Sequence, residues 1–302
     1  MHSVLLLDLG ETLADGERPL PHAVEAVRAL NQFEAADGSR LSVSLVSDFD
    51  AEPGATNGVA AAFDDYLAVL GRLGLRPLFE PVEHRVTLSA HAGASKPDPR
   101  VFRTALERLG VSAGLASCVF VTENAAHVTA ARRLGMAALR YGPVAGVGID
   151  IAGWAEGPLR IARIVAPESD RDLTLALDVA LRATRHIGVS RARRTDAEGT
   201  VAFDASLRVA LDDPSLGDLS GVEVEVPGRG TARLSHDGRV VTVDAEEPSP
   251  DVVRESTAMV RLLRARGSVA GAGTLPRSDA THEVVTEEGG ARILVRRRYD
   301  TG

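Results

Sequence analysis

Val4-Leu5-Leu6-Leu7-Asp8-Leu9-Gly10-Glu11-Thr12-Leu13 begins with a short, continuous apolar run that stops on an acid. A run of this kind suits a strand buried on both faces, and such strands belong to parallel sheets covered by helices. The same rhythm continues downstream. Pro21 to Phe33 carries Ala23, Val24, Val27 and Leu30 at near-helical spacing, and Leu41 to Val46 is the next apolar run. Val59 to Leu73 reads as a helix ending near Gly74, and Arg85 to Leu88 as a short strand. Val101 to Leu109 reads as a helix stopped by Gly110, and Cys118 to Val121 as a strand. Ala125 to Leu134 is a helix closed by Gly135, a typical C-terminal stop, and Ala137 to Tyr141 is a further strand. The alternation predicts an α/β fold over residues 1–142, a Rossmann-like doubly wound parallel sheet with helices on both faces. Such sheets bind ligands beyond the carboxyl ends of their strands. Asp8, Ser47 and Glu123 each follow a predicted strand, so this fold brings them to one crevice.

Lys96 is the only lysine among 34 basic residues. In a chain so biased to arginine, one retained ammonium indicates a need for a compact point charge on a flexible stem. It sits in Ala94-Ser95-Lys96-Pro97-Asp98-Pro99, just ahead of a helix N-terminus, where a second source of positive potential helps hold an anion.

Composition narrows the function. The chain is long enough for two domains, and its 44% hydrophobic content fills real cores, with aromatics at only 4%. A net charge of −8 argues against a general nucleic-acid binder. The single cysteine, Cys118, forms no intrachain disulfide and is expected to behave as a small buried hydrophobe. No stretch approaches the roughly 20 apolar residues of a membrane span, and the N-terminal run is too short for a signal peptide. A soluble, cytoplasmic protein is the expectation.

Four stretches carry the chemistry in order. They are Leu5 to Leu13 around Asp8; Leu45-Val46-Ser47; Lys96-Pro97-Asp98-Pro99-Arg100-Val101-Phe102; and Val119-Phe120-Val121-Thr122-Glu123-Asn124, trailed by Ala130 to Met136. In these motifs residues 1 to about 142 resemble the haloacid dehalogenase superfamily of Asp-nucleophile hydrolases. The resemblance implies that Asp8 is the nucleophile and becomes an aspartyl phosphate. It implies that Ser47 hydrogen-bonds a phosphate oxygen, and that Lys96 offsets the charge on nucleophile and phosphate. It implies a magnesium ion bridging Asp8, the backbone carbonyl of Gly10 and the acid of the fourth motif, a role Glu123 fills.

The departures from the family pattern are equally specific. Gly10 stands where the phosphatases carry a second aspartate, which protonates the leaving oxygen and then activates water. Glu11 substitutes only if its side chain turns inward. His127 stands where many members have another acid, and reads here as a half-exposed residue near a helix start. Only 38 residues separate Asp8 from Ser47, and 48 separate Ser47 from Lys96, so neither interval holds a cap domain. The site is therefore expected to be open. That fits a large phosphorylated substrate, or a crevice covered by a protein partner or by the C-terminal domain. Pro53, Gly54, Asn57 and Gly58 form a candidate lip. Three functional readings follow. The first is a magnesium-dependent phosphohydrolase or phosphotransferase. The second is a degenerate, non-catalytic interaction or regulatory module. The third, ranked last for want of a cap, is carbon–halogen hydrolysis by Asp8.

Glycines and prolines at 143–158 read as a linker, with Trp154 expected to anchor it. Residues 159–302 read as a smaller α+β domain with an antiparallel sheet. Asp170 to His186 is an amphipathic helix. Strand-like runs follow at Val201 to Leu211, Val222 to Val226, Thr231 to Leu234 and Val240 to Val243, the last two joined at Asp237-Gly238. A helix then starts at Ser249-Pro250-Asp251. A hairpin pairs His282 to Thr286 with Arg292 to Tyr299 through Glu287 to Gly290. Arg191, Arg193 and Arg194 read as a loop, and Arg296, Arg297 and Arg298 as a charge-protected edge strand.

Overall fold

Helix and strand propensities in the first half resolve into a five-stranded sheet in the computed structural model, which describes residues 2–49, 58–142, 146–270, 280–287 and 290–297. Its strand order is Val86–Leu88, Ser42–Ser47, Val4–Leu7, Cys118–Thr122 and Ala137–Arg140, and all neighbours are parallel. The first strand lies in the middle, and all four of its residues are buried. Side-chain alternation divides the core between two faces. Leu5, Leu7, Val43, Leu45, Val119 and Val121 pack toward the helices Ala23–Leu30 and Gly58–Arg72. Val4, Leu6, Val46, Cys118 and Phe120 pack toward the helices Pro99–Leu109 and Ala125–Arg133. The doubly wound parallel sheet expected from the sequence is the fold observed. Cys118 is buried, and burial pushes its thiol up to about 11.

Local signals place the helices that matter for the site. The Asp98 side chain accepts from the Arg100 amide at 2.8 Å, Pro99 starts the helix, and Gly110 ends it with φ 68°. Asn124 caps the helix Ala125–Arg133 by accepting from the Ala126 and His127 amides.

Within 143–158, residues 143–145 lie outside the described residues, and the remainder packs on the first half. Tyr141 bridges Ile151, and the fully buried Trp154 stacks on Tyr141 with centroids 5.5 Å apart. Its indole Nε1 donates to the Thr12 carbonyl at 2.5 Å, the anchoring expected of the lone tryptophan. The helix Gly157–Val165 already begins inside this stretch. The next helix, Asp170–Arg185, is capped by Ser169 and packs with Gly157–Val165 against Ala23–Leu30, so buried side chains run continuously from one half into the other. The turn after Ala23–Leu30 leads into Ser42–Ser47 at the amino ends of the strands, the edge opposite Asp8. There the Glu34 amide donates to Asp172 at 3.2 Å, and Arg171 pairs with the Glu34 carboxylate.

The second sheet corrects four expectations. Its order is Val269–Ala270, His282–Thr286, Arg292–Arg296, Glu223–Leu234, Thr200–Ala210 and Gly188–Arg194, with Val240–Ala245 also on Glu223–Leu234. The sheet is mixed rather than antiparallel, because Arg292–Arg296 joins Glu223–Leu234 in parallel and Val269–Ala270 joins His282–Thr286 likewise. Arg191, Arg193 and Arg194 lie in the strand Gly188–Arg194, not in a loop; Ala192 points inward while Arg191 and Arg193 are exposed. That strand is the charged edge. Arg292–Arg296 is interior to the sheet, so Arg296 does not mark an edge strand; Arg297 follows the strand, and Arg298 lies outside the described residues, as do Glu288 and Gly289 of the hairpin turn. The runs 222–226 and 231–234 are one strand, passing through Pro227. Proline is tolerated there because Pro227 pairs only with Ser206, in the gap between the two partners on its other side. No helix among the described residues is long and apolar enough to cross a membrane.

Asp172 provides a test of this packing. It is fully buried, and burial pushes its carboxyl up to about 6 against the pull of the Glu34 amide and Arg171. The folded protein therefore holds its proton more tightly than the unfolded chain. This group's stabilisation is complete below the ordinary value of 3.8 and is lost as pH rises through about 6. Urea denaturation of wild type and Asp172→Asn across pH 4 to 7 is expected to show the difference. The wild type loses on the order of 1–3 kcal/mol over that range relative to the variant.

Candidate active site

The carboxyl ends of Val4–Leu7 and Cys118–Thr122 place Asp8 and Thr122 side by side, since Leu7 is in register with Val121 and the Asp8 amide donates to the Val121 carbonyl at 3.0 Å. Asp8 is buried. Its Oδ1 lies 2.5 Å from Lys96 Nζ and accepts from the Leu9 amide at 2.9 Å. Its Oδ2 accepts from Thr122 Oγ1 at 2.8 Å. Lys96 is also buried, and its ammonium donates to the Val46 carbonyl at 3.2 Å. Its backbone amide donates to Asp48 Oδ1 at 2.8 Å, which ties the Lys96 loop to the end of Ser42–Ser47. Burial pushes the Asp8 carboxyl upward and Glu123 adds to the rise, while the Lys96 ammonium and the Thr122 hydroxyl pull against it.

Glu123 is held by hydroxyls. Its Oε2 accepts from Thr12 Oγ1 at 2.8 Å and lies 3.0 Å from Thr122 Oγ1, whose one proton it shares with Asp8 Oδ2, and its amide donates to Thr12 Oγ1 at 3.0 Å. Thr122 therefore joins the two carboxylates through one oxygen. The donors gathered here are all oxygens, and two carboxylates face a single ammonium, the balance a hard dication suits. Among the described residues no group of three or more His, Cys, Asp or Glu side chains is assembled for a metal, so any cation here rests on the two carboxylates and backbone oxygen.

Ser47 is buried at the end of its strand, and the Tyr66 hydroxyl lies beside it, out of hydrogen-bonding geometry. Gly10 is exposed, and a Cβ built on it meets nothing within 4 Å. Glu11 has φ 50° and is exposed, so its side chain does not turn inward to replace the missing acid. His127 is half-buried in the first turn of its helix. Pro53, Gly54 and Asn57 of the expected lip lie outside the described residues, and Gly58 is the first residue of a helix.

Asp8, Lys96 and Glu123 are thus brought together, with Ser47 at the neighbouring strand end. Sequence reasoning gave no role to Thr12, Thr122, Asp48 or Tyr66. Thr12 and Thr122 were visible as lone hydroxyls beside acids, Thr122 at the end of an apolar run.

No family model matches the chain, and no curated protein does. Solved structures do. An uncharacterized protein from Corynebacterium glutamicum is 19% identical over 47% of this chain and 86% of its own, with a TM-score of 0.29. L-2-haloacid dehalogenase from Xanthobacter autotrophicus is 21% identical over 42% of each chain, also at 0.29. The same dehalogenase with chloropropionic acid covalently bound is 19% identical over 50% of this chain and 48% of its own, at 0.30. The chain spans less than half the length of that dehalogenase.

Proposed function

We propose that the chain is a haloacid-dehalogenase-type hydrolase that takes a phosphoryl group onto Asp8. The observation that carries this reading is the buried Asp8–Lys96 pair at the tip of the first strand. A carboxylate held ionised in a crevice by an ammonium is an activated nucleophile in an anion-accepting site. Oδ1 is committed to Lys96 and Leu9, whereas Oδ2 carries a single donor among the described residues, Thr122, and keeps a lone pair for attack.

In the first step Oδ2 bonds to phosphorus, and the bond from phosphorus to the leaving oxygen breaks with its electron pair. Lys96 has a third N–H beyond those directed at Asp8 and Val46, and it offsets charge on the phosphoryl oxygens. The Ser47 hydroxyl holds another of those oxygens. The leaving oxygen takes its proton from solvent, because Gly10 has none to offer. Water then attacks phosphorus, and inorganic phosphate leaves with Asp8 restored as a carboxylate. Asp8, Glu123 and the Gly10 carbonyl are the residues to hold magnesium. When bound, the ion supplies positive charge against the phosphate oxygens. Thr12 and Thr122 fix the Glu123 carboxylate for that role.

Two features set the substrate. Without an acid at Gly10, esters whose leaving group departs unprotonated are favoured, and the aspartyl phosphate persists because no base prepares the water. The interval between Asp8 and Ser47 holds a two-residue hairpin, Ala14–Asp15 with Arg18–Pro19, and the helix Ala23–Leu30, which supports an open site and a large substrate.

The test is hydrolysis of activated aryl phosphates with magnesium by wild type and Asp8→Asn. Turnover is expected to fall at least about 10³-fold in the variant, since the covalent route is lost. Equal rates in the two proteins would remove Asp8 from the chemistry.

A further inference from the structure

Tyr66 lies in the helix Gly58–Arg72 with only 2% of its surface exposed, and its ring meets Phe49 edge-on with centroids 5.3 Å apart. The hydroxyl is buried and makes no hydrogen bond of ordinary geometry among the described residues, although the Ser47 hydroxyl lies close enough to pull on its proton. A phenylalanine would fill the same volume without this expense, because a buried donor left unmade is costly and native proteins satisfy nearly all of them. The place of this hydroxyl suggests what satisfies it. Tyr66 packs on the sheet face of Leu45 and Leu88, and Ser47, two residues beyond Leu45, opens to the same side. The hydroxyl lies beside Ser47 and within the field of the Asp8 carboxylate. Lys96 reaches the same crevice from the opposite face, ahead of the helix Pro99–Leu109.

We propose that Tyr66 is a further substrate-binding residue, whose buried hydroxyl donates to an oxygen of a tetrahedral oxyanion entering between Ser47 and Asp8. The anion is then gripped from both faces of the sheet, by an ammonium on one side and a phenol on the other. Burial holds the phenol proton above its ordinary range against the pull of the Ser47 hydroxyl, and the Asp8 charge adds to the rise. Tyr66 is therefore a hydrogen-bond donor at neutral pH and not the proton source that Gly10 lacks. The inference rests on the reading that a phosphoryl group occupies this crevice.

Binding of tungstate, a phosphate mimic, to the full chain by calorimetry separates the two ideas, with thermal melting of the ligand-free proteins measured alongside. Tyr66→Phe is expected to bind tungstate about 5–30-fold more weakly than wild type, the loss of one hydrogen bond to an anion. Its melting temperature without ligand is expected to be unchanged or higher, because an unmade buried donor has been removed. Wild type that binds tungstate beside a variant that binds it equally well would overturn the assignment of Tyr66 alone. So would a lower melting temperature in the variant, since that would mean the hydroxyl is already satisfied within the fold. Wild type that ignores tungstate at millimolar concentration would instead overturn the phosphoryl-transfer reading, and the Tyr66 assignment with it.

Discussion

Lys96→Met is expected to lose about 3–5 kcal/mol of folding stability at neutral pH and to lose turnover entirely. The reason is burial on both sides of the pair. The Lys96 side chain is 3% exposed and that of Asp8 is 7% exposed, with 2.5 Å between their charged atoms. Removing the ammonium leaves a carboxylate out of water with, among the described residues, only the Leu9 amide and the Thr122 hydroxyl as donors. Adding Asp8→Asn to Lys96→Met is expected to recover most of that loss, because a neutral buried pair carries no desolvation penalty of this size. Activity stays absent in the double variant. Acid is expected to relieve the single variant as well. Burial already pushes the Asp8 carboxyl above its ordinary 3.8, and without the ammonium it rises further. The penalty is therefore full above the folded-state value, shrinks as pH falls through it, and is gone below the unfolded value. Urea denaturation of the four proteins of this cycle measures all of this. A loss below about 1 kcal/mol in Lys96→Met would be the cost of an exposed pair and would remove the basis of the proposed function.

Gly10→Asp is expected to raise turnover of alkyl phosphates by about 10²–10⁴-fold, the usual worth of general acid–base help. The substitution meets no steric obstacle. Gly10 is exposed, its φ lies outside the left-handed region, and a Cβ there finds nothing within 4 Å. The gain is expected to be largest on poor leaving groups and small on activated aryl phosphates, which leave without a proton. Steady-state assays across a series of leaving groups read this directly. A folded variant with no gain on any of them would show that the missing acid is not what limits the chemistry.

How much of this was legible in advance differs between the halves. Val4 to Leu7 and Cys118 to Val121 are apolar at every position, and only a strand covered on both sides asks for that, so the parallel sheet could be read directly. The second half has the right strands with misread partners. Ala192 between Arg191 and Arg193 is too weak an apolar signal to mark a strand, and nothing in Arg292 to Arg296 announces that it pairs in parallel with residues some seventy positions earlier. Pairing across a sheet depends on register between distant segments, which no local pattern carries.

The site divides along the same line. Order and spacing along the chain determined that Asp8, Ser47, Lys96 and Glu123 end up at strand tips and on the loop above them, because a parallel sheet delivers the carboxyl ends of its strands to one edge. Tertiary structure alone decided which oxygen of Asp8 is committed to the ammonium, that Thr12 and Thr122 hold Glu123, that Glu11 points away, and that Tyr66 brings an unmatched hydroxyl to the crevice. A hydroxyl in an apolar segment is commonplace. What it does is set by the atom it meets across the fold, and that meeting exists only after distant segments have packed.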